Sequence, residues 1–340
     1  MNSLIILTFL FLIIVFIGNY FFSKFVPILY SKDHAIHKEK VIRIGGLLVY
    51  LNLFIFTYFY DLTNYFLIFY LSIPMVIVCF LEDIFGTISI RLRLLSIILS
   101  VTLLVFFSFP ISYLDIPLYY NLNKNYIFLF FITLVSYAAI INFLNFIDGM
   151  NGLCLFSVLF ICIALITHSG SSALSLHDSF FLYGLIIVIT TLLPWNFPYQ
   201  KIFIGDTGSY FLGLLLGYAI INFMNHNENI PSFSAVLLII YPFFEGLFSL
   251  LRRLVKGKKI YNADNLHLHS LIYKRILNFF SEKTANNITT IFLFPFCLFG
   301  PIGFVLFSHN INAILILITL FIFFYVITYY FLHKSSKKIL

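Results

Sequence analysis

Acidic residues in this chain stand at the polar ends of long apolar runs. Glu82 and Asp83 are adjacent at the end of one run. Asp148, Asp206 and Glu245 each lie at or near the end of a different run. Carboxylates at membrane depth are costly and therefore mark functional sites by default, and two adjacent carboxylates repel each other unless a cation is near. We therefore expect these acids to converge on one site that handles positive charge or phosphate.

Arginines suited to phosphate binding accompany the acids. Arg43 comes two residues before a Gly-Gly pair, where backbone can approach a ligand closely. Arg91 and Arg93 follow the adjacent acids by about two helical turns. Guanidinium groups bind phosphate oxygens well, so these residues and the basic run 252–259 are candidate counter-charges for a phosphate substrate.

The segment NFLNFIDGMNGL at 142–153 brings amides and a carboxylate to one side of a helix end. Asn142, Asn145 and Asp148 are spaced at i, i+3 and i+6, and a glycine then breaks the helix. Taken alone, an Asn-rich helix end is most often only a cap. Its value lies in its position among the other motifs.

Two later segments complete the set. WNFPYQKIFIGDTGSYFLG at 195–213 puts Asp206 where a span opens, beside free backbone N–H groups. NADNLHLHS at 262–270 supplies His267 and His269. Singly, a GDTGS turn is more often a helix start than a metal site, and two loop histidines can be merely solvated. All five motifs lie on one predicted side of the membrane. Because this is improbable by chance, we interpret them as parts of one functional site.

The composition makes the chain an integral membrane protein. Of 340 residues, 61% are hydrophobic and only 10% are charged, with a mean hydropathy of +1.03. This excludes a water-soluble core-and-shell protein and intrinsic disorder. The four cysteines lie in apolar runs without CxxC spacing, so no disulfide framework or zinc site is indicated.

We predict an all-α fold with eleven transmembrane helices, because a helix needs about 20 apolar residues to cross a bilayer. The runs lie near 2–23, 44–60, 64–81, 94–114, 126–145, 151–167, 179–195, 208–224, 232–251, 288–306 and 311–332. No cleavage site follows the first run, which predicts a retained anchor. Without internal repeats, 1–340 is predicted to be one domain with a basic loop at 252–287.

Lysine and arginine predict the orientation. Nineteen of the 20 basic residues fall on one side of the predicted spans, and only Lys124 falls on the other. The basic side is predicted to be cytoplasmic, with the N-terminus outside, the C-terminus inside and the acids at the cytoplasmic face. The basic pI reflects this topology, and no nucleic-acid-binding module is visible, so no nucleic-acid partner is expected.

Together these segments resemble the polyprenyl-phosphate N-acetylhexosamine-1-phosphate transferase family, glycosyltransferase family 4. The resemblance covers about 37–270 and rests on the RxGG loop, the paired acids with downstream arginines, the NxxNxxDGxxGL and GDxGS blocks, and the HxH loop. It implies eleven membrane helices and a cytoplasmic active site. The RIGG, SIRLRL and HLHS sequences resemble the branch that transfers GlcNAc-1-phosphate to undecaprenyl phosphate or initiates O-antigen.

The implied reaction moves a sugar-1-phosphate from a UDP-N-acetylhexosamine to undecaprenyl phosphate and releases UMP. UDP-GlcNAc or a 6-deoxy relative is the expected donor, and Mg²⁺, with Mn²⁺ as a substitute, is the implied cofactor. The product would initiate lipid-linked surface polysaccharide, such as lipopolysaccharide, or cell-wall synthesis at the bacterial inner membrane. The bilayer is therefore a partner, and assembly as a homodimer is left open.

The resemblance also implies residue roles. Asp83 would act at the acceptor phosphate and contact the metal, and Asp206 would be the principal Mg²⁺ ligand. Glu82 stands where the family usually has Asp, so it is expected to support catalysis by orienting a nearby arginine. Asp148 completes the catalytic acids. The implied substrate-binding residues are Arg43, Arg91, Arg93, Asn142, Asn145, Asn151, Asn196, His267 and His269.

Two other function classes fit part of the sequence. A transporter of an anionic lipid or nucleotide sugar would also need many spans, but it predicts mid-span charges and symmetry between halves, which this sequence lacks. A non-catalytic scaffold would account for Glu82 and for Ser270, which stands where the family often has a further histidine. Release of UMP distinguishes the enzyme from both.

Overall fold

The computed structural model describes residues 17, 20, 43–108, 110–114, 125–168, 174–257 and 266–336. Within these residues the protein is all-helical, as predicted, and forms twelve helices. They are α1 (Gly45–Phe59), α2 (Thr63–Phe85), α3 (Ile90–Phe107), α4 (Tyr126–Ile147), α5 (Leu153–His168), α6 (Leu176–Asn196), α7 (Gly205–Asn225), α8 (Phe233–Leu238), α9 (Ile240–Val255), α10 (Leu268–Ile276), α11 (Glu282–Phe307) and α12 (Ile311–Ser336).

Seven of the twelve helices are long and apolar enough to cross a membrane, namely α2, α3, α4, α6, α7, α11 and α12. Helices α1 and α5 match two further predicted runs but have only 15 and 16 residues. The first predicted span, 2–23, lies outside the described residues apart from Ile17 and Tyr20. The membrane fold is thus confirmed, whereas the count of eleven exceeds the number of helices of spanning length described here.

One predicted span, 232–251, is wrong as a single helix. Helix α8 ends at Leu238 and α9 begins at Ile240. Proline lacks a backbone N–H, so Pro242 cannot donate to the Leu238 carbonyl four residues earlier, and the hydrogen-bond ladder stops there. A side chain at Gly300 on α11 would overlap the Leu237 carbonyl, so α11 packs directly against this break. Hydropathy alone does not register such an interruption.

Another predicted run, 94–114, is displaced. Helix α3 begins earlier, at Ile90, because the Ser89 hydroxyl caps it by accepting from the Leu92 N–H. It ends at Phe107, well before the predicted end. The turn before α3 passes through Gly86 at φ 66, the left-handed conformation that commonly ends a helix.

Helix α7 is the most buried of the seven spanning helices and packs against α1, α2, α4 and α5. Small residues permit these contacts. A Cβ on Gly213 would lie 2.7 Å from the Ile141 Cα, and one on Gly217 would lie 2.7 Å from the Tyr137 ring. At the first turn of α7, Gly208 packs on Gly46 of α1. This first turn is the point around which the polar residues gather.

Candidate active site

Asp83, near the end of α2, reaches across to the first turn of α7. Its Oδ1 accepts from the Asp206 N–H at 2.9 Å. Its Oδ2 accepts from the Thr207 N–H at 2.9 Å and from the Thr207 hydroxyl at 2.6 Å. The first N–H groups of a helix have no partner within the helix and favour a negative charge. Asp83 therefore caps α7 from a different helix.

Gly205 makes this cap possible. Its φ is +66°, and a Cβ built on it would lie 2.5 Å from both carboxylate oxygens of Asp83. Only glycine allows both the left-handed backbone and this close approach. The Gly-Asp dipeptide of the GDTGS block thus places one acid, Asp206, on α7 and receives another from α2.

Asp206 is partly exposed in the first turn of α7. Its Oδ2 pairs with Arg93 Nη1 on α3. The side chains are partly exposed, at 21% for Asp206 and 17% for Arg93, so a ligand can reach the pair. Asn145 Nδ2 lies 3.4 Å from Asp206 Oδ1 and donates to the Ser209 hydroxyl at 2.7 Å. Asp206 of α7 is therefore contacted from three other helices, by Asp83 of α2, Arg93 of α3 and Asn145 of α4.

Glu82 and Arg91 occupy other places. Glu82 is buried, and its Oε2 accepts from the Ile88 N–H at 2.7 Å, which stabilises the turn between α2 and α3. Arg91 is exposed in the first turn of α3. Arg93 itself pairs with Asp206, and the charge of Glu82 also acts on Arg93.

The predicted polar face of the α4 end is only partly directed at the site. Asn145 reaches Asp206, but Asn142 donates back to the Ala138 carbonyl of its own helix at 2.7 Å. Asp148 is the residue that ends α4. Burial raises the pKa of Asp148 well above its usual value, the charges of Asp206 and Asp83 raise it further, and Arg43 opposes the shift.

Arg43 precedes Gly45 and Gly46, whose backbone is hydrogen-bonded to the residues just before α7. The two glycine N–H groups that follow it donate to the Phe203 and Ile204 carbonyls, each at 2.9 Å. These two bonds hold the RIGG loop against the segment that precedes α7. The charge of Arg43 acts on Asp148, where it opposes the rise in the pKa of that carboxyl.

Asn151 and Asn196 hold the loop that follows α4. Asn196 accepts from the Gly152 N–H at 2.5 Å and donates to the Ile202 carbonyl at 2.9 Å. The backbone of Asn151 bonds to the side chains of Asn286 and Thr290 on α11. The Asn151 amide nitrogen is buried and has no partner within the described part of the chain. Asn196 therefore shapes the loop, whereas Asn151 keeps a free donor.

His267 and His269 are buried at the start of α10, where a solvated loop was one expectation. Their rings stack at 5.2 Å with an interplanar angle of 5°. The His269 ring lies on Gly149, where a Cβ would overlap its Nε2. Burial lowers the pKa of His269 to about 3, with the His267 charge acting in the same direction and Glu245 opposing. His269 is therefore neutral at ordinary pH.

Several residues of this arrangement were not assigned to the site from the sequence. Thr207 and Ser209 lie inside the GDTGS block and could have been recognised as partners of the acids. Glu245 stood out as an acid, but its contact with His267 did not follow from the sequence. Asn286 and Tyr325 carry no local signal, since they reach the site region only through the packing of α11 and α12.

The acids fit Mg²⁺ better than a closed protein metal centre. Among the described residues, no three His, Cys, Asp or Glu side chains group as a metal site. Mg²⁺ needs only one or two carboxylates, because it keeps water ligands and binds substrate phosphates. Asp206 offers a partly exposed carboxylate, and the Asp83 oxygens lie at the same helix terminus. These two side chains would hold the ion.

Comparisons with known proteins agree with the geometry. Residues 65–224 match the model of glycosyl transferase family 4, a region that contains every acid of the α7 entrance. The undecaprenyl-phosphate alpha-N-acetylglucosaminyl 1-phosphate transferase of Thermotoga maritima is 29% identical over 244 residues, which are 71% of this chain and 70% of that protein.

Two further relatives match shorter regions. The decaprenyl-phosphate N-acetylglucosaminephosphotransferase of Mycolicibacterium smegmatis is 31% identical over 157 residues, 41% of this chain and 39% of the relative. The undecaprenyl-phosphate alpha-N-acetylglucosaminyl 1-phosphate transferase of Escherichia coli K12 is 28% identical over 153 residues, 43% of this chain and 41% of the relative. The chain therefore aligns with about two fifths of the length of these two proteins.

Proposed function

Residues 65–224 match the model of glycosyl transferase family 4, and the Thermotoga maritima transferase is similar over 71% of the chain. We therefore propose that the chain is a member of this family and transfers GlcNAc-1-phosphate, or the 1-phosphate of a related N-acetylhexosamine, from a UDP-sugar to undecaprenyl phosphate. An acceptor phosphate oxygen would attack the β-phosphorus of the UDP-sugar. The bond from that phosphorus to the bridging oxygen would break, and UMP would leave. The product is a lipid-linked sugar diphosphate.

One observation supports this function most strongly, namely the meeting of Asp83, Asp206, Arg93 and Asn145 at the first turn of α7. Joining two phosphates requires positive charge and fixed positions more than covalent chemistry from the protein. A helix N-terminus and an accessible arginine supply the positive charge. The apolar helices around them would admit the lipid part of the acceptor.

Each side chain has a distinct task in this proposal. Arg93 and Arg43 would bind phosphate oxygens, and Asn145 would hold Asp206 in position. Asp83 would either accept the last proton of the acceptor phosphate, which then attacks the donor in a single displacement, or would itself attack the β-phosphorus and expel UMP. In that second route the acceptor phosphate would then take the sugar phosphate from Asp83 and free the carboxylate.

Magnesium is proposed as the cofactor, and Mn²⁺ is expected to replace it. When bound, the ion neutralises diphosphate charge. Asp206 and Asp83 would hold it, and Arg93 would contact the substrate phosphates. His267, His269 and Asn151 would contact the sugar or diphosphate of the donor.

We further propose the predicted topology in full. The eleven crossings would comprise the seven long helices, α1, α5, the α8–α9 pair and the N-terminal run 2–23. The N-terminus would lie outside and the α7 entrance at the cytoplasmic face, where UDP-sugars are made. In the inner membrane of a bacterium, the product would serve O-antigen or related surface polysaccharide synthesis.

A donor panel tests the function. Purified protein in detergent is mixed with undecaprenyl phosphate, Mg²⁺ and each of UDP-GlcNAc, UDP-GalNAc and a 6-deoxy N-acetylhexosamine donor. UMP release and a labelled lipid product are expected with UDP-GlcNAc or its 6-deoxy relative. UMP release that does not require undecaprenyl phosphate would indicate a hydrolase instead.

A further inference from the structure

A buried carboxylate lies behind the two histidines. Glu245, in the second turn of α9, is fully buried. His267 Nδ1 lies 2.9 Å from its Oε1, and the Leu268 N–H donates to the same oxygen at 3.3 Å. The Tyr325 hydroxyl donates to Oε2 at 2.6 Å. Glu245 therefore connects α9 with the start of α10 and with the last helix, α12.

The carboxylate determines which nitrogen of His267 carries a proton. An ionised carboxylate can only accept, so Nδ1 must carry the hydrogen that points at Glu245. The other nitrogen, Nε2, has no hydrogen-bond partner within the described residues and is left for a ligand. Ser249, 3.1 Å from Nδ1, and the stacked His269 ring restrict rotation of the imidazole.

His267 is linked to the acids through its neighbour. The ring of His269, stacked on His267, lies on Gly149, which follows Asp148. One turn earlier on α4, Asn145 contacts Asp206. Glu245 itself contacts none of these acids. It can influence the reaction only through the histidine that it holds.

We propose that Glu245 is a positioning residue that fixes the tautomer and orientation of His267, and that Tyr325 on the final helix holds Glu245 in place. Nε2 of His267 is thereby presented to the diphosphate or sugar of the donor. This proposal rests on the proposed function for the identity of the donor. The rival explanation is that the network only stabilises the packing of α9, α10 and α12.

Hydrogen-bond counting makes Glu245→Gln informative. The carboxylate receives three donors, whereas a glutamine side chain has one acceptor oxygen and an NH₂ group that would face a donor. At least one contact must therefore be lost, although the shape is kept. Tyr325→Phe removes a single contact and leaves Glu245 intact.

Tyr241→Phe is the matched control. Tyr241 lies one turn before Glu245 on α9 and is equally buried, but its hydroxyl has no hydrogen-bond partner in the part of the chain described. Removing that unpartnered hydroxyl should not lower the melting temperature, and it should change turnover by no more than about twofold. Tyr241→Phe and Tyr325→Phe thus make the same chemical change on either side of the carboxylate.

The kinetic test measures the two substrates separately, in variants whose melting temperatures show that they are folded. Glu245→Gln should lower kcat/KM for the UDP-sugar about 10- to 100-fold, the usual cost of losing a partner that orients a functional histidine. Tyr325→Phe should cause a smaller loss of about tenfold. The KM for undecaprenyl phosphate should stay unchanged. Equal losses for both substrates, shared by Tyr241→Phe, would overturn the proposal in favour of a structural role.

The spectroscopic test does not depend on turnover. In ¹⁵N-histidine NMR, with His267→Ala used to assign the signal, the wild type should show the Nδ1–H form and Glu245→Gln should lose that preference. An unchanged His267 signal in Glu245→Gln would overturn the proposal. Loss of the preference in a protein whose wild type releases no UMP would support the positioning role and contradict only the proposed function.

Discussion

At the scale of single residues, Asp83 combines a helix cap with an acid at the proposed phosphate site. Its three hydrogen bonds hold the α7 entrance together, and its charge lies beside that of Asp206. Each carboxylate oxygen has two lone pairs, so these bonds leave acceptor capacity for a proton or a metal ion. Loss of function in an Asp83 variant therefore has two candidate causes that must be separated.

We predict that Asp83→Asn reduces UMP release by more than about a hundredfold, whereas Glu82→Gln keeps measurable activity. The reason is that Asp83 binds the first turn of α7, whereas Glu82 accepts from the Ile88 N–H in the turn between α2 and α3. Thr207→Val is the control, because it removes one bond to Asp83 without changing the acid. It should cost about 1 kcal/mol of stability and leave most activity. A dead Glu82→Gln beside an active Asp83→Asn would reverse the assignment.

Asp148 allows a prediction about pH. Its pKa is raised in the folded protein, mainly by burial, so the folded state binds a proton that the unfolded state releases. Stability contributed by this group is therefore lost as pH rises from the usual aspartate range toward the raised pKa. At pH 8, Asp148→Asn should therefore raise the melting temperature by a few degrees. Each kcal/mol gained in the free energy of unfolding corresponds to about 2–4 °C. The gain should shrink toward pH 4, and a larger gain at pH 4 would contradict the shift.

At the scale of elements, the entrance to α7 was the part of the site most accessible to prediction. The GDTGS block indicated a helix start with an acid, and the structure has α7 beginning at Gly205. The identity of its cap could not be foreseen, because Asp83 is 123 residues away in sequence from Asp206 and reaches it only through the packing of α2. The α8–α9 break escaped a hydropathy reading because the chain is apolar on both sides of it, from Phe233 to Leu238 and from Ile240 to Phe244.

Close packing at the same entrance gives an element-scale prediction. A side chain at Gly46 would overlap the backbone nitrogen of Gly208, so α1 would have to move away from α7. Gly46→Ala should therefore lower stability by about 1–3 kcal/mol, the usual range for overpacking. Gly303→Ala is the control, since the atoms nearest to its Cβ would be the ends of two flexible side chains, Leu317 at 3.1 Å and Leu237 at 3.4 Å. Equal melting temperatures for the two variants would contradict this account.

At the scale of the whole molecule, composition and hydropathy predicted the helical membrane fold but not its tertiary contacts. Apolar runs identify helices because the bilayer requires length and apolarity. They contain no information about which helices touch. The bonds from Asn286 to Asn151 and from Tyr325 to Glu245 join segments 135 and 80 residues apart. For that reason the support that α11 and α12 give to the site could not be predicted.

Orientation in the membrane is a prediction for the intact protein. The uneven distribution of Lys and Arg predicts that the α7 entrance and the C-terminus are cytoplasmic. A reporter active only outside the cytoplasm should be active when fused after Lys124 and inactive when fused after Lys259. The opposite pattern would place the acids on the side where UDP-sugars are absent.

The central claim is that the acids at the α7 entrance transfer a sugar phosphate with the help of a divalent cation. The most direct measurement is Mg²⁺-dependent UMP release from UDP-GlcNAc and undecaprenyl phosphate, compared between the wild type and a folded Asp206→Asn variant. We predict turnover by the wild type that EDTA abolishes and Mg²⁺ restores. Asp206→Asn should lose more than about a hundredfold, because a neutral amide is a weaker Mg²⁺ ligand than a carboxylate. Undiminished turnover by Asp206→Asn at ordinary Mg²⁺ would contradict the account.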